Sequence, residues 1–400
     1  MRNPIHRFGL IAGMAVLAAA CGDSNSDPVN SANENGALAS SADKFWESGA
    51  TVAWNRTARE LLVARAVGAP HLQVRILAYL SLAQYNAAVA AEDTKSEGAH
   101  ASPAAAVGGA SVAVLKSFFP LDGALLEGRL TEQLVSSSWP GERTKDALSG
   151  ESVGRAVGAL VVAYAVADNF NVQIPAPAPG GLDAGYWVSA QPAVRSLYGT
   201  RPFFLTSGDQ FRSAPPPAFG SSEFLSALAE VRTLSDTRTA AQLKEAQDWA
   251  SRGPAFMNEE GVSLIVAHKR TEREAAHVLA LANMAGFDAT IGCFDAKFAY
   301  WFIRPSQADP AITLPIGLPN HPSYISGHSC LTASFAAVLA EAFPTDRALL
   351  DDFVTRAGLS RMYGGLHYRF DIVAGQQLGR DVAEWAIAHD VVGHEPFPLD

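Results

Sequence analysis

The run EREAAHVLALANMAGFDATIGCFDAKFAYWFIRP, residues 272–305, decides the fold class. Its apolar positions recur at three- and four-residue intervals, from Ala275 through Val278, Ala282, Ala285, Ala289 and Ala296. That is the period of a helix with a buried stripe, and it predicts a long helix over 272–303. Lys297 and Arg304 stand seven residues apart, nearly two turns, so both cations are expected on one bearing. Pro305 disfavours helical geometry at Arg304 and is expected to end the helix there. Taken alone, two cations among Tyr300, Trp301 and Phe302 read as a solvated basic face.

The same period recurs along the chain. Helices are expected over 51–67, 72–91, 104–119, 123–137, 144–167, 222–234, 240–251, 329–343 and 370–389. Few stretches alternate with period two, so the fold class is all-α. A Pro- and Gly-rich stretch at 174–220 is irregular; it separates an N-terminal helical half (44–220) from a C-terminal half (221–400) and can frame a pocket entrance. With 48% hydrophobic and 18% charged residues, 400 residues suffice for one large domain or two closely packed halves. A net charge of −10 argues against a nucleic-acid surface, so any anion site must be a local cationic pocket.

The N-terminus reads as a targeting device. Arg2 and Arg7 precede the apolar stretch Phe8–Ala20, too short to span a bilayer comfortably, and Cys21 follows small residues. This resembles a lipoprotein signal (1–20) with lipidation at Cys21, and Gly22 resembles lipoproteins sent to an outer membrane. An ordinary secretory signal is the alternative, and both readings export the protein. Residues 21–43 read as a flexible tether. The only membrane contact expected is the N-terminal lipid anchor. Cys293 and Cys330 either pair or stay buried as free thiols.

Two further segments carry groups suited to an oxyanion. HPSYISGH, residues 321–328, places Ser326, Gly327 and His328 directly before an apolar helical run. A Ser-Gly-His sequence opening a helix offers a hydroxyl, free backbone N–H groups and the positive end of the helix dipole. His328 adds a group able to move protons. SRMYGGLHYRFD, residues 360–371, brings Arg361 and His367, with Gly364 and Gly365 making a turn. Asp371 lies four residues beyond His367, where a helix would let it fix the imidazole tautomer. Each segment alone reads as blandly as a capped helix or a loop.

Together, K-x6-R-P, S-G-H and S-R-x5-H resemble the signature shared by type 2 phosphatidic acid phosphatases, bacterial acid phosphatases and vanadium-dependent haloperoxidases. Residues 54–91, PFFLTSGDQFRSAPPPAF (202–219) and residues 277–305 further resemble the bacterial haloperoxidase branch. The resemblance implies helical bundles, two four-helix-bundle-like halves, with the anion site at one end of a bundle. It implies that Lys297, Arg304 and Arg361 bind oxyanion oxygens, helped by Ser326 and the Gly327 N–H. His367 would be the coordinating or covalent partner and His328 the acid–base. Ile325 departs from the pattern, since many members have proline there.

One cage serves two chemistries. In the haloperoxidase reading, vanadate on His367 is the cofactor, hydrogen peroxide and a halide are substrates, Lys297 polarises the bound peroxide, and a small organic acceptor takes the halogen. In the acid phosphatase reading, phosphate replaces vanadate and His367 attacks a phosphate ester, with His328 protonating the leaving alcohol. The full-length likeness favours the haloperoxidase. His321 stands where the resemblance puts histidine in bromide-oxidising and an aromatic in chloride-oxidising members, which favours bromide or iodide. A third reading, an oxyanion-binding lipoprotein without turnover, leaves the His328/His367 pair without a purpose. His71, His100, His268 and His277 read as core or surface residues.

Overall fold

The computed structural model describes residues 49–96, 99–136, 145–171, 185–189, 197, 199–392 and 395–399. The residues read as a signal (1–20), Cys21, those read as a tether (to 43) and residues 175–181 lie outside them. Thirteen helices run α1 (Ala50–Ala64), α2 (Pro70–Asp93), α3 (Pro103–Phe118), α4 (Gly123–Val135), α5 (Ala147–Val166), α6 (Ser222–Thr237), α7 (Ala240–Ser251), α8 (Pro254–Ala267), α9 (Glu272–Tyr300), the single turn α10 (Pro305–Ala308), α11 (Gly327–Ala342), α12 (Arg347–Tyr363) and α13 (Arg369–Ala388). Among the described residues the strands amount to one antiparallel pair, Lys95–Ser96 with Ala99–His100, beside isolated bridges Ala101–Asp146 and Tyr186–Phe302. The all-α expectation holds.

Helices α2, α3 and α5 pack against one another, and α11 packs on α12 and α13. Helix α9 joins these two groups, lying against α2 and against α11 and α13. It is long and apolar enough to cross a membrane, yet 83% of its most apolar window is buried inside the protein, so it is a core helix. Its start carries a capping box, in which Thr271 and Glu274 satisfy each other's backbone N–H. Close approach elsewhere depends on missing side chains. A Cβ on Gly154 would sit 1.9 Å from the Ala106 carbonyl oxygen, so α5 meets α3 at backbone contact only because glycine is there.

Two helices escape the periodicity reading. Helix α8 is apolar on nearly every side and therefore shows no stripe. Helix α12 carries Arg347, Asp351, Asp352, Arg356 and Arg361 among its apolar residues, and its face is equally hard to read. A third difference concerns the end of α9. The helix stops at Tyr300, not Ile303, and Trp301 adopts a left-handed conformation (φ 49°) with its N–H on the Lys297 carbonyl. The chain then runs extended beside residues 185–187: Trp187 N–H donates to the Trp301 carbonyl and Ile303 N–H to that of Gly185. Arg304 therefore does not project from the helix that bears Lys297. Hydrogen bonding to a distant segment, invisible to local periodicity, decides where it goes.

The described part of the irregular stretch is tied down on α9. Asp288, wholly buried, accepts the N–H groups of Phe203, Phe204 and Leu205 at 2.8, 2.7 and 3.1 Å. Arg212 forms a two-bond ion pair with Asp295, nearly two helical turns further along the same helix.

Candidate functional site

The three motif segments meet at one place although they reach it differently. Lys297 comes from the last turn of α9, Arg304 from the extended segment after it, Ser326 and Gly327 from the start of α11, Arg361 from the last turn of α12, and His367 from the loop before α13. Arg361 thus belongs to a helix, and the turn predicted at Gly364 and Gly365 begins just after it. A cavity of about 420 Å³ opens over the group, and His321, Gly327, His328, Arg361 and His367 are among the residues that line it.

Lys297, Arg304 and Arg361 are 0%, 0% and 3% exposed. Among the described residues none of them forms an ion pair. Lys297 Nζ donates to the carbonyls of Pro322 and Ser323 at 2.9 and 2.8 Å. Arg304 donates to the carbonyls of His321 and Leu366 and to ring nitrogens of His321 and His367. Arg361 donates to the Ser360 hydroxyl and the Ala246 carbonyl. Carbonyl dipoles hold these side chains in position without neutralising them. Burial pushes Lys297 down to about 8, and burial, with the neighbouring charge of Arg304 acting on Arg361, brings both arginines down to about 10. Three unpaired buried cations are costly in an otherwise acidic protein, and an anion removes that cost.

The imidazole of His367 has an assignable tautomer. Its Nδ1 lies 2.8 Å from Asp371 Oδ2, an acceptor, so Nδ1 carries the proton. Arg304 Nη1, a donor only, lies 3.1 Å from Nε2, which therefore presents its lone pair. Asp371 is fixed in turn: its Oδ2 also accepts the Ser323 hydroxyl at 2.5 Å, and its carbonyl accepts the Ser326 N–H at 2.9 Å. Burial raises the Asp371 carboxyl to about 6, against the Ser323 bond and the charges of Lys297 and Arg304.

His328 Nε2 is 3.1 Å from the Trp249 carbonyl, so that nitrogen carries the proton and Nδ1 is free to accept one. Burial, then the charge of Arg361, pushes His328 down to about 3. His321 and His367 are both held well below the usual histidine range, mainly by burial and then by Lys297 and Arg304. At neutral pH all three imidazoles are neutral and the cations supply the positive charge. Ser326 caps α11 without a side-chain bond to a backbone N–H; its hydroxyl accepts that of Ser329 at 2.9 Å, and within the described residues no hydrogen bond uses the Gly327 N–H. That amide and the helix dipole are available to an anion.

The donor set fits a tetrahedral oxyanion bonded to Nε2 of His367: a lone pair held by a carboxylate behind it, buried cations in need of negative charge, and the open end of a helix. Cys293 and Cys330 are both buried free thiols, the second of the two expected states. Sequence reading passed over His71 and Phe294, which line the cavity. His71 sits in the first turn of α2, far along the chain from every motif, and nothing local marks it.

Residues 348–392, which include Arg361, His367 and Asp371, match the family model described as the VCPO second helical-bundle domain. Solved structures with the same architecture include a bacterial vanadium-dependent iodoperoxidase, at TM-score 0.71 and 21% identity, covering 84% of this chain and 95% of that one. A bacterial vanadium-dependent chloroperoxidase, in its apo form, matches at TM-score 0.64 and 14% identity, covering 80% and 94%. Its fold is that of the vanadium haloperoxidase superfamily, and the segment bearing Arg361, His367 and Asp371 matches the second helical bundle of that family.

Proposed function

We propose that the protein is a vanadate-dependent haloperoxidase-type enzyme, oxidising a halide, bromide or iodide in preference to chloride, with hydrogen peroxide. The observation that carries this reading is the buried group of Lys297, Arg304 and Arg361, without ion pairs among the described residues, around the lone pair of His367 Nε2. Vanadate held there by His367, Lys297, Arg304 and Arg361 would supply the Lewis acidity that peroxide activation needs.

The protein's own groups do the rest. Asp371 holds His367 in the tautomer that points Nε2 at the anion. Arg304 would turn the donor now on Nε2 to the oxyanion, and Arg361, the Ser326 hydroxyl and the Gly327 N–H would donate to it as well. Lys297 would add a point charge. His328, neutral with Nδ1 free, accepts the proton that hydrogen peroxide loses. A bound anion beside it would offset the charge of Arg361, which after burial is the second cause that lowers its basicity. His321 accepts from Arg304 at 3.0 Å and so shares the charge that would otherwise reach the anion. The exported, lipid-anchored location read from residues 1–21 belongs to the same proposal.

The test is to strip the purified protein of oxyanions, restore vanadate, and follow peroxide-dependent bromide oxidation beside phosphate monoester hydrolysis. Vanadate-activated halide oxidation supports the proposal. Phosphatase activity that vanadate only inhibits would replace it with nucleophilic chemistry at the same Nε2. An oxyanion that binds with neither activity, unchanged by His328→Ala, would leave a binding protein.

A further inference from the structure

Two cysteines meet directly behind the Ser326 loop. Cys293 lies on α9, one turn before Lys297, and Cys330 lies in the first turn of α11, one turn after Ser326. Both are wholly buried, in the apolar cluster that also holds Ile325. The Cys293 thiol donates to the Ile325 carbonyl at 3.7 Å, and a Cβ on Gly327 would lie 3.9 Å from its sulfur. Gly327 and Cys330 stand three residues apart, so the face of α11 that meets Cys293 at Gly327 also carries Cys330. There the thiol of Cys330 hydrogen-bonds that of Cys293. Gly327 lines the cavity, so a single residue separates the Cys293 sulfur from a space open to small solutes. Neither thiol has a role in the chemistry of the oxyanion cage.

We propose that hydrogen peroxide oxidises Cys293 and Cys330 to a disulfide, which clamps the start of α11 to α9. The two sulfurs are not equivalent. Burial opposes ionisation of Cys293, but the bond from Cys330 and the charges of Lys297 and Arg304 outweigh it and hold this thiol below its usual range. Burial, then the bond to Cys293, holds Cys330 well above that range. Cys293 is therefore the attacking sulfur and Cys330 the resolving one. Already in contact, the sulfurs have only to close to a bond of about 2 Å. The link joins the helix that bears Lys297 to the helix start that bears Ser326 and Gly327.

The reaction balances. The Cys293 thiolate attacks one oxygen of hydrogen peroxide, the O–O bond breaks, hydroxide leaves and a sulfenic acid forms. The Cys330 sulfur then attacks the sulfenic sulfur, the S–O bond breaks and a second hydroxide leaves. The two thiol protons turn both hydroxides into water. Each sulfur gives up one electron, and one peroxide takes both. Without Cys330 the sulfenic acid would pass on to sulfinic acid, which thiol reductants do not restore.

The experiment exposes the full chain, purified and reduced, to hydrogen peroxide in buffer without halide. Catalase removes the excess, and iodoacetamide then blocks free thiols in denaturant. Mass spectrometry of unreduced tryptic digests should find residues 274–297 joined to residues 298–347, and dithiothreitol should separate them. Cys330→Ser should instead carry Cys293 to sulfinic acid, and Cys293→Ser should leave Cys330 reduced over the same exposure. Oxidation should raise the thermal midpoint of the wild type by about 5 °C or more and leave that of the double serine variant unmoved. Wild-type thiols that stay reduced, sulfinic acid at both without the joined peptide, or a midpoint unmoved by the link would overturn the proposal. The joined peptide and its midpoint are read in the wild type, so the test stands even if a variant fails to fold. No halide turns over in it, so its failure is distinct from a failure of the proposed function.

Discussion

The Nδ1–H of His367 donates to Oδ2 of Asp371 at 2.8 Å, across the single turn that starts α13. Every role of His367 depends on this bond, because it decides which nitrogen faces the cavity. Asp371→Asn keeps the shape but removes the charge and admits the wrong tautomer. It is expected to weaken vanadate binding by about tenfold to a hundredfold, with Asp371→Ala at least as severe. Calorimetric titration measures this, and unchanged affinity in both variants would detach Asp371 from the site.

Lys297 offers a signature in pH. Its ordinary value is lowered to about 8 by burial, so in the anion-free protein it has largely lost its proton by pH 9. A bound oxyanion pulls that value upward, so binding at pH 9 must take up a proton, and affinity must fall as pH rises through about 8. Below pH 7 this lysine is already charged and contributes no uptake. Titrations in two buffers of different ionisation heat report the protons. Wild type should take up close to one more than Lys297→Met at pH 9, and the difference should vanish at pH 6.5. An equal count at both pH values contradicts the assignment.

Helix α13 sets the position of the Ser326 loop. A Cβ on Gly375 would lie 2.7 Å from the Ser326 carbonyl oxygen and 3.0 Å from Ser329 Cβ. Gly375→Ala must push the loop or the helix aside, at a cost of about 1–3 kcal/mol. Chemical denaturation should register that loss, and vanadate affinity should fall with it because Ser326 and Gly327 move. A variant with full affinity would show that the cage does not depend on this contact.

His321 moderates Arg304. The Arg304 Nη2 donates to His321 Nδ1 at 3.0 Å, and a ring without nitrogen frees that donor for the anion. More positive charge on the oxyanion makes the oxidant stronger, so His321→Phe is expected to raise chloride turnover relative to bromide. The ratio of the two rates under saturating peroxide decides it; a ratio that is unchanged or lower counts against halide tuning by this residue.

Much of this site was legible before any coordinates, for reasons particular residues make plain. The starts of α9 and α11 are written locally, in Thr271/Glu274 and in Ser326 followed by an apolar run. The reach from His367 to Asp371 follows from helical spacing alone. Arg304 reaches His367 by a route that periodicity does not predict: the left-handed Trp301 and the pairing with residues 185–187 carry it there, and neither leaves a periodic trace. Helix α12, which delivers Arg361, was missed because its charges blur its face. His71 was read as an ordinary core or surface histidine, since only tertiary packing brings α2 to the cavity.

The most direct measurement is vanadate binding itself, by calorimetry on oxyanion-free protein, with phosphate as competitor and Arg304→Ala, Arg361→Ala and His367→Ala as variants. The account predicts one vanadate per chain, displaced by phosphate, with each substitution weakening affinity by at least about tenfold. No saturable binding, or binding indifferent to all three substitutions, would contradict it.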